Sequence, residues 1–132
     1  MRRFCLDSWA VLRWLEGVEP AASRVQELLS SRPLMSWINV GEVAYVTSRA
    51  AGPDVAARVV RDLETMLHLD PVAPARVLEA AAIKAAHPMA YADAFALATA
   101  AAHDAVLVTG DPEILDADGP WAREDLRSGV GG

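Results

Sequence analysis

The stretch Ala105-Val106-Leu107-Val108-Thr109-Gly110-Asp111-Pro112 decides how this chain is read. Its first four residues form an unbroken apolar run, too short for a helix, as a strand buried on both faces requires. Directly before it, Ala90 to His103 is Ala-rich and helical in character, which permits close packing against neighbours. A helix running straight into a fully buried strand points to a parallel sheet covered on both sides. After the strand, Gly110 lets the backbone turn sharply and aims Asp111 back over the sheet edge.

Outward from this stretch, the same grammar repeats. Phe4-Cys5-Leu6 is a second short apolar run, closed by Asp7-Ser8, either of which can cap a helix. The first helix carries Trp9, Leu12 and Leu15 on one side and ends at Gly17; Pro20 opens a second, with Val25, Leu28 and Leu29 inward. Leu34-Met35-Ser36 reads as a strand, followed by a third helix from about Ile38 to Ala51 that stops at Gly52-Pro53. From Asp54 to about Leu67, the residues Val55, Val59, Leu63 and Met66 form an apolar stripe, with Arg58, Arg61, Asp62 and Glu64 off it. The two-residue Gly-Pro link makes these last two helices a hairpin. Leu67-His68-Leu69 is a candidate edge strand, and Ala75 to His87 a fifth helix. The expectation is one α/β domain over residues 1–132, with a mainly parallel sheet and a frayed tail from about Gly119.

Composition narrows the function classes. The 132 residues are 53% hydrophobic and 23% charged, the balance of a packed globule. Twelve Lys+Arg against eighteen Asp+Glu leave a net charge of -6, which excludes gripping nucleic acid or an anionic membrane by bulk charge and leaves room only for a local basic groove. The single Cys5 excludes an internal disulfide and fits a reducing compartment. Met1-Arg2-Arg3 looks like the start of a signal peptide, but Asp7, Arg13 and Glu16 interrupt the apolar stretch after it. No run approaches the roughly 18–20 apolar residues of a membrane span, so a cytoplasmic protein without membrane contact is expected.

Ligands in open parallel sheets bind beyond the carboxyl ends of strands. Asp7 and Asp111 sit at two such ends. Glu42, in Asn39-Val40-Gly41-Glu42-Val43-Ala44, and Asp93, in Ala90-Tyr91-Ala92-Asp93-Ala94-Phe95, interrupt otherwise apolar helices. Each has an ordinary explanation: Asp7 as an N-cap, Asp111 as a turn residue, Asp93 at a helix dipole, Glu42 facing solvent. Together they can converge on one point. Like charges ~4 Å apart repel by about 4 kcal/mol per pair at an effective dielectric near 20, so such a cluster persists if a hard cation occupies it. Carboxylate oxygens suit Mg²⁺ or Mn²⁺, and no Cys–His pattern competes for zinc.

The four segments Leu6-Asp7-Ser8, Asn39-Val40-Gly41-Glu42, Ala92-Asp93-Ala94 and Val108-Thr109-Gly110-Asp111-Pro112 resemble, in order and spacing, the acidic motifs of PIN-domain ribonucleases, and within them the VapC-type toxins of toxin–antitoxin pairs. The resemblance runs from Arg3 to about Leu115. It implies a PIN-like three-layer α/β/α sandwich and a Mg²⁺- or Mn²⁺-dependent endoribonuclease whose metal-binding acids are Asp7, Glu42, Asp93 and Asp111. It also implies that Thr109, and with it Ser8, helps order the site. Asn39 stands where relatives often carry a small hydroxyl residue, and Asp116 is a candidate outer partner of the site. A homodimer and a VapB-like antitoxin, whose C-terminal segment covers the acids from a groove on the helical hairpin, are the implied partners beside the RNA substrate. Arg49, Arg58 and Arg61 on that hairpin could meet the RNA backbone or simply form a solvated face.

Two other functions stay open. A haloacid-dehalogenase-type phosphatase would carry Asp-x-Asp after the first strand, but the residue two beyond Asp7 is Trp9. A catalytically silent PIN module that binds RNA or protein is the other. His68, His87 and His103 lack metal-ligand spacing, and Trp9, Trp14 and Trp37 lie in apolar contexts that favour core or interface over base stacking. Setting aside the four proposed ligands leaves fourteen acids against twelve bases, so the charge of -6 falls to -2.

Overall fold

Side chains alternate across a strand, and here that alternation sorts the core into two layers. Cys5, Leu34 and Leu107 face one apolar cluster, while their neighbours Leu6, Met35 and Val108 face the other. The computed structural model describes residues 2–127. Its strands are β1 (Arg3–Leu6), β2 (Leu34–Ser36), β3 (His68–Asp70), β4 (Ala105–Thr109) and β5 (Arg123–Asp125). They form one sheet in the order β3-β2-β1-β4-β5, with every pairing parallel. The helices are α1 (Ser8–Glu16), α2 (Ala21–Leu29), α3 (Trp37–Ala51), α4 (Pro53–Met66), α5 (Pro74–Ala86), α6 (Tyr91–Ala102) and the single turn α7 (Pro112–Leu115).

Residues of α1 to α4 fill the Leu6 side and residues of α5 and α6 the Cys5 side, which is the three-layer α/β/α arrangement expected from the sequence. The helix α6 is buried from Asp93 through Ala100 without a break, because its many alanines let it lie against its neighbours on every side. Burying a side chain such as Leu97 there contributes about 2–3 kcal/mol. The order of strands places β2 on one side of β1 and β4 on the other, so the sheet switches direction at β1. The carboxyl ends of β1 and β4 therefore frame the crevice where such sheets bind ligands.

Two expectations need correction. Of the Trp9-Leu12-Leu15 stripe, Trp9 and Leu12 pack against the core, but Leu15 is 40% exposed, and the fully buried apolar residues of α1 are Ala10 and Val11. Asp7 caps the helix at the end of β1 and so sets its phase. Nor is the tail frayed from Gly119 onward. Arg123 donates to the carbonyls of Ile114 (2.8 Å), Ala117 (2.6 Å) and Trp121 (3.2 Å), gathering the loop after α7. That loop delivers β5 to β4, pairing Thr109 with Asp125, and Leu126 is buried behind it. The rest of the tail, residues 128–132, lies outside the described residues. Among the described residues no helix is long and apolar enough to cross a membrane.

Candidate active site

Asp7 is the N-cap of α1 and accepts from the Ala10 N–H at 2.9 Å. Its second oxygen accepts from the hydroxyl of Thr109, the last residue of β4. The same Thr109 oxygen accepts from the Asp111 N–H at 3.0 Å. One buried hydroxyl thus ties together the two acids that close adjacent strands. Asp111 in turn caps α7, accepting from the Glu113 N–H at 2.9 Å. Its place depends on Gly110, though not through a left-handed turn: any Cβ at that position would overlap the Trp9 indole.

The helices bring the other two acids. Ser8, the first residue of α1, donates to Glu42 on α3 at 2.5 Å, which holds that half-buried carboxylate toward the end of β1. Asp93 lies in the first turn of α6 and is 7% exposed. Asp111 is its nearest charged neighbour in effect, and that proximity favours the protonated form of Asp93. Asn39, one turn before Glu42, donates to the Ala92 carbonyl at 3.1 Å and so joins α3 to the start of α6. Its Oδ1 is buried without a partner.

These acids feel one another. Burial pushes the Asp7 carboxyl up to about 7; the bonds from Thr109 and Ala10 pull it down, and the charges of Asp111 and Glu42 push it up. Burial likewise raises Asp93 to about 8, reinforced by the charge of Asp111, its hydrogen bond, and the charges of Asp7 and Glu113. A carboxyl group holding its proton near neutrality is a mark of functional sites. The contrast is Asp70, the acid that ends β3. Burial pushes it up as well, but the Val72 N–H, Arg76 at 3.0 Å and His103 at 3.2 Å hold it below the ordinary carboxylate range. Asp70 has been neutralised by the protein, and the acids at β1 and β4 have not.

All four acids expected from the sequence therefore share one electrostatic site, with Thr109 and Ser8 as direct partners and Asn39 linking two of its helices. Asp116 does not join them: it is exposed at the end of α7 and makes no hydrogen bond to the four. Glu113 was missed. It accepts from the Ala90 N–H at 3.0 Å and adds its charge to Asp93; its place two residues after Asp111 was the available signal. Among the described residues no three Asp, Glu, His or Cys side chains stand close enough to form a ready-made metal-binding group. The hydrogen bonds account for this spacing. Asp7, Glu42 and Asp111 are each held by a local donor, which keeps like charges apart, yet a carboxylate oxygen with one bond keeps a second lone pair.

The fold and site define a parallel α/β sandwich with a cluster of acids at the carboxyl ends of β1 and β4, Asp7 buried and Asp111 half-buried. Family comparison makes this specific: residues 4–120 match the PIN domain model, and the chain belongs to the PIN domain family. No curated protein sequence matches it significantly. Among solved structures it is similar to DNA-bound VapBC from Salmonella typhimurium, at 20% identity and TM-score 0.76, over 96% of this chain and 99% of that one. It is also similar to VapBC2 from Rickettsia felis bound to a promoter fragment, at 13% identity and TM-score 0.73, over 92% and 97%. A third is VapC20 of Mycobacterium tuberculosis, a sarcin-ricin loop cleaving toxin, at 16% identity and TM-score 0.71, over 92% and 99%. At these identities the likeness is one of fold.

Proposed function

We propose that this protein is a Mg²⁺- or Mn²⁺-dependent endoribonuclease acting as the toxin of a toxin–antitoxin pair. The observation that carries this reading is the coupling of Asp7, Glu42, Asp93 and Asp111 around the Thr109 hydroxyl, on a PIN scaffold. The donor set is all oxygen and surplus in negative charge, which suits a hard divalent cation. The four acids would hold it. When bound, such a cation neutralises charge on the phosphate and lowers the pKa of a coordinated water.

The chain's own groups have separate duties. Thr109 fixes the Asp7 and Asp111 ends of two strands against each other, so the acids approach the phosphate from one side. Ser8 turns Glu42 toward the same point. Asp93 would complete the cation's oxygen shell after giving up the proton it holds near neutrality. The antitoxin partner and the homodimer are part of the same proposal, the antitoxin supported by the likeness to VapBC complexes. An antitoxin Arg or Lys entering between the acids would pair with them as charge-assisted hydrogen bonds.

A silent PIN module is the second reading, favoured by the absence, among the described residues, of three acids already at ligand spacing. Incubating RNA with the protein in Mg²⁺, Mn²⁺ or chelator separates the two. Cleavage that needs the cation and disappears in Asp7→Asn and Asp93→Asn, with both variants folded, is expected. Binding without any cleavage in either cation would favour the silent module.

A further inference from the structure

The twelve Lys and Arg side chains sort by partner. Arg13, Arg24, Arg76 and Arg127 pair with carboxylates, and Lys84 and Arg123 donate to backbone carbonyls. The remaining six have no carboxylate partner among the described residues. Three of those, Arg49, Arg58 and Arg61, lie on α3 and α4. The other three, Arg2, Arg3 and Arg32, line one cavity of about 210 Å³ between the start of β1 and the turn from α2 into β2. Ser31 shares its wall, with Phe4 and Leu34 beside it, and no acidic residue among the described residues lines it. The cavity beside Arg24 is similar in size, about 240 Å³, but is walled by Glu19, Glu27, Glu124 and Asp125 and already satisfied as an ion pair.

All three arginines are exposed, and two of them are held in place by the chain. Arg32 holds a left-handed backbone conformation, φ 52°, and anchors its guanidinium by donating Nε–H to the Leu67 carbonyl at 3.3 Å. That leaves its two terminal amino groups without a protein partner among the described residues. Arg3 donates to Nδ1 of His68 at 3.2 Å and to Nδ1 of His103 at 3.4 Å. The other ring nitrogen of His103, Nε2, faces Asp70 at 3.2 Å. These contacts hold the guanidinium of Arg3 in place without a carboxylate partner among the described residues. Arg2 makes no side-chain bond among the described residues.

We propose that this cavity is a second phosphate-binding site, taking a backbone phosphate of single-stranded RNA at the amino ends of β1 and β2, the end of the sheet opposite the acids. The assignment of RNA as the source rests on the proposed ribonuclease function; the phosphate site itself does not. Arg3 and Asp7 are four residues apart along one strand and its end, about 13 Å at the rise of an extended chain. A strand of RNA reaching the cavity would therefore be held well away from the scissile bond. The volume suits one phosphate group rather than a whole nucleotide. Unpaired guanidinium forks match phosphate oxygens. In a chain of net charge -6, grip on RNA must come from such local groups.

The test compares the full chain with an Arg2→Gln/Arg32→Gln double variant, which removes both charges while keeping polar side chains and leaves Arg3 with its histidines. Inorganic phosphate, followed by NMR shifts of the arginine Nε–H groups, is expected to saturate in the wild type and not in the variant. In an Asp93→Asn background that leaves RNA intact, a labelled single strand of about 12 nucleotides is the second probe. The double variant should bind it several-fold more weakly, with a salt slope smaller by about 0.7 for each phosphate that is no longer neutralised. Turnover of a small chromogenic phosphodiester should not change. Equal phosphate titrations in the two proteins would overturn the site. A lost phosphate signal with an unchanged RNA slope would overturn RNA as the source. If the wild type neither binds nor cleaves RNA, the ribonuclease reading fails, while the phosphate titration still decides the cavity.

Discussion

Removing the charge at Asp7 should make the metal-free protein more stable at alkaline pH. The carboxyl is 2% exposed, and its folded value of about 7 stands well above the ordinary 3.8, chiefly because burial disfavours the ionised form. Proton counting sets the direction. Between about pH 4 and 7 the folded protein keeps a proton that the unfolded chain releases, so stability is greatest below the ordinary value and falls as pH rises through the folded one. Each pH unit in that window is linked to about 1.4 kcal/mol, so Asp7 alone accounts for on the order of 4 kcal/mol. That is a large part of a typical domain stability of about 5–15 kcal/mol. Asp93, raised to about 8, extends the decline in the same direction. Asn at position 7 keeps a capping oxygen for the Ala10 N–H and removes the charge. Urea unfolding in chelator, followed by the fluorescence of the four tryptophans between mildly acidic and mildly alkaline pH, measures the effect. The wild type should lose stability across the range. Asp7→Asn should show a shallower decline and exceed the wild type by roughly 2–4 kcal/mol at about pH 8. A wild type whose stability is flat or rises over this range, with the variant running parallel to it, would refute the electrostatic reasoning.

Other consequences are as specific. Thr109→Val keeps the buried shape but strands the Asp111 N–H and removes a donor from Asp7; it should cost about 1–3 kcal/mol in thermal or urea unfolding and steepen the alkaline decline. Gly110→Ala drives a methyl group into the Trp9 ring. It should destabilise by about 1–3 kcal/mol and lower RNA cleavage, with a smaller penalty when Trp9 is also cut to Leu, as a double-mutant cycle would report. Asn39→Ala removes the bond to Ala92 together with an unsatisfied oxygen, so stability should fall by less than about 1 kcal/mol. Cleavage should fall further than stability if the α3–α6 link positions Asp93.

Much of this was legible because two physical demands leave marks in sequence. Strands buried on both faces need continuous apolar runs, and Phe4-Cys5-Leu6, Leu34-Met35 and Ala105 to Val108 show them. Carboxylates set among Ala, Val and Phe need a reason, and Asp93 and Glu42 stood out for that. The features that stayed hidden depend on tertiary partners. The strand β5 reads Arg-Glu-Asp, with no apolar pattern; it exists because β4 offers an open edge and Arg123 gathers the preceding loop. Gly110 was read for its freedom to turn, yet its necessity is the Trp9 ring, 101 positions earlier in the chain. Asp70 looked like the end of an edge strand, and only the fold shows it buried against Arg76 and His103. Arg2, Arg3 and Arg32 passed unremarked because β1 and β2 must pair before they meet.

If Asp7, Glu42, Asp93 and Asp111 act as one cation site, a divalent ion must displace the proton that burial and neighbouring charge keep on Asp93 near neutrality. Calorimetric titration of Mn²⁺ at neutral pH, repeated in buffers of different ionisation enthalpy, reads binding and proton release together. The wild type should bind with release of a proton, and Asp93→Asn should lose most of both. Binding with no proton released, or an Asp93→Asn variant that binds Mn²⁺ as the wild type does, would contradict a shared cation site.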